Sequence, residues 1–198
     1  MPVKSRKAEQ TEATRRALLK VARKLFAERG YADTATEEVV RRARVTRGAL
    51  YHHFRDKQDL FRAVLHEEEM RLAREIATVA INQPDPWRRL LAGSLAFLDA
   101  CLDPAVQQIV LIDAPAVLGW QGFREIDEAY FLGAMKDTLR EAIDSGAMAA
   151  QAIDPLAHIL FGATHEAAML IAHAEDEAAA RDQAKEAITR LLSGLRAH

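Results

Sequence analysis

The chain has 198 residues, 49% hydrophobic and 28% charged, with a formal net charge of −2; this excludes a disordered chain and allows one large or two small domains with a buried core. No uncharged apolar run approaches the roughly 18 residues of a membrane span, and the basic start "MPVKSRKAEQ" lacks the apolar segment of a secretory signal. A single cysteine, Cys101, excludes an internal disulfide, so the chain reads as cytoplasmic with no membrane partner. The charge is unevenly spread. Residues 1–57 hold 15 Lys+Arg against 7 Asp+Glu, and the remainder 12 against 22. A basic segment on an acidic body points to a polyanion partner for the first part and a different task for the second.

Almost every segment has helical periodicity. Between Thr11 and Arg29, residues Leu18, Val21, Ala22, Leu25 and Phe26 share one face, with Thr11 as expected N-cap and Gly30 as expected stop. Thr34 and Glu37 have capping-box spacing, which predicts a short helix to about Ala43. Thr46 is placed to cap a third short helix ending near Phe54. After the turn "RDK", Leu60, Phe61, Val64, Leu65, Leu72, Ile76 and Val79 line a long fourth helix. Asp85-Pro86 starts a fifth, and breaks are expected at Asp103-Pro104, Ala114-Pro115, Ser145-Gly146 and Asp154-Pro155, with a last helix from about Asp176 to Leu195. No alternating strand pattern is present. The expected fold is all-α, about nine helices.

Two short helices and a tight turn after a longer one describe a helix-turn-helix reader, whose last helix enters the major groove. The residues of "VTRGALYHHFRDK" suit that use. Arg47 has the fork for guanine, and Gly48 permits a close approach of backbone to DNA. Thr46 with the free amides of the helix start suits a phosphate. Tyr51, His52 and Lys57 suit backbone contacts that fix register, with Thr36 reaching from the other side. Leu50 and Phe54 read as core. His53 is as readily a packed residue as a contact, and the arm "VKSRK" reads as a solvated tail that can touch DNA.

The segment "TEEVVRRARVTRGALYHHFRDKQDLF" resembles the DNA-binding signature of the TetR family of bacterial transcriptional regulators. The matching positions are Thr34, Thr36, Thr46, Arg47-Gly48, Leu50, Tyr51, His53-Phe54 and Lys57, with "AERGY" where the family closes its first helix. Arg44 departs from the pattern, standing where the family often has glycine in the turn. The resemblance implies a three-helix DNA-binding domain (1–57), a connecting helix (58–85) and a larger helical effector-binding and dimerisation domain (86–198). It also implies a homodimer on a palindromic DNA operator, a small-molecule effector of unknown identity that releases it, no cofactor and no enzymatic activity.

Independently, helix nine carries Ala184, Ile188, Leu191, Leu192 and Leu195 in one stripe. Helix eight is rich in apolar and small residues: Leu156, Ile159, Leu160, Ala163, Ala167, Leu170 and Ile171. Two such helices can pair with their copies in a four-helix interface, or pack within one subunit. Candidate ligand-binding residues are Phe97, Cys101, Trp120, Phe123, Tyr130, Phe131 and His165. No charge cluster is visible among them, which favours an apolar or aromatic effector. Two other functions compete. "HEAAM" (165–169) begins like a zinc-hydrolase helix motif, but Met169 replaces the second histidine, and no metal site is assigned. His158, His165 and His173 are expected on one face of helix eight as hydrogen-bonding residues. A helical ligand-binding protein without DNA binding is the other alternative, disfavoured by the intact Thr46–Lys57 pattern.

Overall fold

The computed structural model describes residues 6–196, with side chains from residue 8 onward. The side chains of the basic arm "VKSRK" lie outside the described residues. The regular elements are α1 (Arg6–Arg29), α2 (Thr36–Ala43), α3 (Arg47–His53), α4 (Lys57–Ile81), α5 (Pro86–Ala100) and the single turn α6 (Pro104–Val106). A π-helical segment (Gln107–Asp113) follows, then α7 (Ala114–Asp144), α8 (Ile153–Ala172) and α9 (Glu177–Ser193). No β-strand occurs among the described residues, and the class is all-α.

Side-chain caps set most helix starts. Thr46 Oγ1 accepts from Ala49 N–H at 3.1 Å, Asp56 from Asp59 at 2.7 Å, Asp85 from Arg88 at 2.8 Å and Asp176 from Ala179 at 3.0 Å. Two expected caps are corrected. Helix α1 begins at Arg6, not at Thr11, because "RKAEQ" consists of good helix formers that extend it backward. Thr34 does not cap α2. Its buried hydroxyl donates to the Gly30 carbonyl at 2.8 Å and closes the turn after α1, while Ala35 takes the N-cap position without a side-chain bond.

The break expected at Ala114-Pro115 is absent. The preceding turn is widened to π-helical pairing, with Ala114 N–H donating to Ile109 O, and Pro115 falls in the first turn of α7. The interruption lies instead at Gly119, whose φ of 72° and ψ of 158° leave helical space. Helix α8 starts at Ile153, which puts Pro155 in its first turn, where a missing N–H costs nothing.

Helices α1 to α3 and the first turns of α4 enclose one cluster, the head. Phe61 meets Phe26 and Tyr31 edge-on, both at 5.2 Å between ring centroids, and Leu18, Leu25, Val39, Leu50 and Phe54 are buried around them. The head core therefore runs past Lys57 into α4. Helices α5, α7, α8 and α9 form the body, with α4 lying along α5 and α7. Head and body are fastened at several points. Tyr31 N–H donates to Asp113 Oδ2 at 2.7 Å, Gln58 Nε2 donates to Val117 O at 2.7 Å, and buried Glu68 pairs with Arg23 of α1 and with Arg71 at 3.0 Å. Gly30, at φ 76°, lies so close to this seam that a Cβ would stand 3.1 Å from Gln108 Nε2.

The apolar residues of α8 and α9 separate into two faces. Leu160, Ala167, Ile171, Ile188 and Leu192 are buried within the subunit, whereas Ile159, Leu170 and Leu191 point outward, exposed to 63%, 64% and 43%. The stripes read from sequence had merged the two.

Arg44 occupies the left-handed region, at φ 57° and ψ 39°. The turn closes with Arg44 N–H on Arg41 O and Val45 N–H on Val40 O, the doubly bonded helix ending that usually takes glycine. The backbone keeps the family's turn geometry with a side chain that strains it by about 1 kcal/mol. Denaturant unfolding should place Arg44→Val on the order of 1 kcal/mol below Arg44→Gly, because β-branching worsens a left-handed φ. Equal midpoints would show that the turn relaxes in solution.

Candidate functional site

The first site is the outer face of α3. Leu50 and Phe54 are inward, at 0% and 3% exposure, which fixes the helix on the head and leaves Arg47, Gly48, Tyr51 and His52 on the surface. Arg47 lies over the Tyr51 ring at 5.5 Å and 3.9 Å from the Glu37 carboxylate. Both partners of that ion pair are largely solvated, so the contact holds Arg47 only weakly and leaves it available. A Cβ at Gly48 would meet only the Thr46 hydroxyl, at 3.9 Å, so this edge is open to close approach. Thr36 is in the first turn of α2, its hydroxyl 3.3 Å from Glu37 Oε2.

Two of the expected contacts are partly engaged within the protein. Lys57 Nζ donates to Ala32 O at 3.2 Å and sits 4.2 Å from the Tyr31 ring centroid; burial lowers its pKa. It anchors α4 to the loop after α1 as well as facing outward. His53 is half-buried between His52 and Phe54, and burial, with smaller effects from His52 and Arg15, holds it below the usual imidazole range.

The second site is a cavity of about 150 Å³ between α4, α5, α7 and α8. Of the seven expected ligand residues, Phe97, Tyr130, Phe131 and His165 line it. Three do not. Cys101 is fully buried one turn beyond Phe97, Phe123 is fully buried behind His165 at 5.3 Å between rings, and Trp120 is 58% exposed just past the Gly119 kink. Helical periodicity placed them on apolar faces, but only packing decides which face meets the cavity. The residues that sequence reasoning missed include Ala73, Ile76, Ala77 and Ala80 on α4, Gly93 and Ser94 on α5, and Phe161 and Thr164 on α8. The small side chains of Ala73, Ala77, Ala80, Gly93 and Ser94 make the space, which no single residue signals.

Acidic residues missed by the sequence reading are buried beyond the cavity lining, behind His165. Glu69 and Asp127 are 0% and 2% exposed; both oxygens of Glu69 and Oδ2 of Asp127 have no hydrogen-bond partner among the described residues. His165 Nδ1 lies 3.6 Å from Asp127 Oδ2. Burial is the main cause of every shift here. It raises Glu69 well above the carboxylate range and Asp127 to about 7, lowers His165 to about 4, and lifts the Cys101 thiol to about 12. The expectation that no charge cluster exists is thus corrected. The available signal was register: Glu69 is four residues after Leu65 and three before Leu72, on the apolar face of α4, and Asp127 lies midway between Phe123 and Phe131. The three histidines of α8 diverge. His158 is exposed beside Glu128, His165 is buried, and His173 bonds Met169 O beyond the helix end. Among the described residues no three His, Cys, Asp or Glu side chains are grouped to hold a metal ion. No single described helix is long and apolar enough to cross a membrane.

A helix-turn-helix head carried on a larger helical body with an internal cavity is the architecture of a DNA-binding regulator. The comparisons with known proteins give the family. Residues 18–64 match the model of "Bacterial regulatory proteins, tetR family", and residues 87–195 match that of "Tetracyclin repressor-like, C-terminal domain". A TetR-family transcriptional regulator from Pectobacterium atrosepticum has the same fold at a TM-score of 0.86 and 36% identity, covering 98% of this chain and 99% of that one. The transposon Tn10 TetC protein of Escherichia coli is 26% identical over 162 residues, 82% of each chain. The transcriptional repressor BepR of Brucella suis is 35% identical over 109 residues, 52% of this chain and 50% of that protein. The chain belongs to the TetR family of transcriptional regulators; it is a DNA-binding regulator and not an enzyme.

The buried cluster makes stability depend on pH in two opposing ways. Asp127, raised when folded, contributes stability at low pH that is lost as pH rises from about 4 through 7, and Glu69, also raised by burial, acts in the same direction. His165, depressed when folded, contributes stability above about 6.5 that is lost as pH falls towards 4. Denaturant midpoints between pH 4 and 7 should therefore fall more steeply with pH in His165→Gln than in the parent, and less steeply in Asp127→Asn. Superimposable profiles for all three proteins would contradict the assigned burial.

Proposed function

We propose that the protein is a repressor that binds a palindromic operator as a homodimer and is released when a small molecule fills the body cavity. The observation that carries this reading is the continuity of α4. One uninterrupted helix supplies Ala73, Ile76, Ala77 and Ala80 to the cavity wall, and Leu60, Phe61 and Glu68 to the head and its seam. A ligand that prefers one position of this helix shifts the population of head orientations, and hence the distance between two recognition helices. The outward residues Ile159, Leu170 and Leu191 supply the apolar face through which α8 and α9 would pair with a second copy.

In this reading Arg47 reads a base and Lys57 contributes to the phosphate field, with Thr36, Thr46, Gly48, Tyr51, His52 and His53 framing the approach. Selection from random double-stranded DNA at stated salt should enrich a two-fold palindrome with the parent. Arg47→Ala should relax one position of each half-site without changing stability, since its side chain is solvated. Lys57→Ala should weaken all sequences alike, flatten the salt dependence and also lower stability, because Ala32 O loses its donor. Unchanged DNA selection by both variants would reject the assignment. Sedimentation should show a dimer for the parent and a folded monomer for Leu170→Glu; a dimer in both would move the interface elsewhere.

A further inference from the structure

Three hydroxyl groups of the cavity lining, those of Ser94, Thr138 and Thr164, have a common character; Tyr130, Arg89 and His165 are its other polar side chains. Ser94 Oγ donates to Leu90 O at 3.0 Å, Thr138 Oγ1 to Ala134 O at 2.9 Å, and Thr164 Oγ1 to Leu160 O at 2.8 Å. Each hydroxyl proton is committed to its own helix, so what these side chains retain is acceptor capacity. One helical turn beyond the lining, three helices converge. Glu69 is four residues before Ala73 on α4, Asp127 four before Phe131 on α7, and Cys101 four after Phe97 on α5. Between this group and the cavity stands His165, its ring flanked by Phe97 at 6.2 Å, Phe161 at 6.3 Å and Phe123 at 5.3 Å.

The groups facing Asp127 are Glu69 from α4, Cys101 from α5, His165 from α8, and Arg124 and Glu128 on its own helix. Arg124, the cation among them, is paired with Glu128. Both oxygens of Glu69 and Oδ2 of Asp127 therefore lack a hydrogen-bond donor among the described residues, and the guanidinium that acts on Asp127, Arg124, is shared with Glu128. An unpartnered buried acceptor is costly, and the cost is removed by a donor delivered to the site.

We infer that the effector is a small amine with an aromatic or short alkyl body, its protonated nitrogen directed to the His165 end towards Asp127 and Glu69. This rests on the reading of the cavity as the effector site. An ammonium brings three donors and a positive charge to the end of the cavity behind which the two carboxyl groups lie, and so stabilises their ionised form. The aromatic rings of Phe97, Phe131 and Phe161 in the lining also suit a cation. A space of about 150 Å³ admits one ring with a short chain. At the opposite end Arg89 pairs with Glu141 at 2.8 Å, so its charge is matched, although its Nε is buried without a partner among the described residues. Binding the cation favours the ionised carboxylates, and their protons pass to the buffer.

The test is calorimetry of the full-length protein at pH 7 with three isosteric probes: phenethylamine, 2-phenylethanol and phenylacetate, in two buffers of different ionisation enthalpy. Phenethylamine should bind about ten-fold or more tighter than 2-phenylethanol and release protons, whereas the alcohol should release none. In Glu69→Gln/Asp127→Asn the amine should fall to the alcohol's affinity while the alcohol is unchanged, and Met135→Trp, filling the cavity wall, should weaken both. Thermal melts establish that each variant is folded; Asp127→Asn alone serves if the double variant is not. Equal affinity for amine and alcohol, or tightest binding of phenylacetate at the Arg89 end, overturns the amine assignment but leaves the cavity reading standing if Met135→Trp still weakens binding. No binding of any probe overturns both.

Discussion

Residues 68 and 69 are adjacent glutamates on α4, and the organisation of the molecule turns on their different surroundings. Consecutive helical positions differ by about 100°, so one faces the head and the other the body. Glu68 pairs with Arg23 of α1 and with Arg71, which also reaches Asp103 at 3.2 Å. Glu69 has no hydrogen-bond partner among the described residues and lies against Asp127 beneath the cavity. The satisfied carboxylate ties α4 to the DNA-reading unit. The unsatisfied one places a group with a strong demand for a donor on the same rigid element.

In the proposed mode of action, that arrangement lets the body act on the head without a dedicated relay. A packed helix moves as a unit, because its side chains are interlocked at close to crystalline density. The seam around Gly30, Tyr31 and Asp113 is tight, with a backbone amide on a carboxylate at 2.7 Å and a Cβ at Gly30 standing 3.1 Å from Gln108 Nε2. The π-helical segment that supplies Asp113 and the kink at Gly119 are the two irregular stretches between the seam and the cavity-lining part of α7. Irregular helix of this kind stores alternatives in hydrogen bonding more readily than ideal helix.

Much of the head was legible in the sequence because its signals are local. Capping by Thr46 depends on a side chain within three residues of the amide it accepts from, and the inward Leu50 and Phe54 follow from spacing within one short helix. Even the departure at Arg44 proved local: the left-handed turn is retained by backbone hydrogen bonds that do not require glycine. The misplacements at Thr11, Thr34 and Pro115 share one cause. A residue competent to begin or break a helix was overruled by neighbours that extended the helix, offered a better partner, or widened the preceding turn.

The body was less legible, for a physical reason. Period and composition establish that a helix has an apolar face, but a helix packed against several others has more than one, and the sequence does not say which meets a neighbour, a cavity or solvent. So Phe97, Tyr130 and Phe131 came to the cavity while Phe123 went to the core and Trp120 to the surface. By itself the sequence determined the helical class, the inward residues of the third helix and the family signature, all set by interactions a few residues apart. Only the tertiary structure decided that Glu69, Asp127 and His165, contributed by three helices and up to 96 positions apart, share one buried space. Burial and proximity of charges are properties of packing, and they exist only once the helices meet.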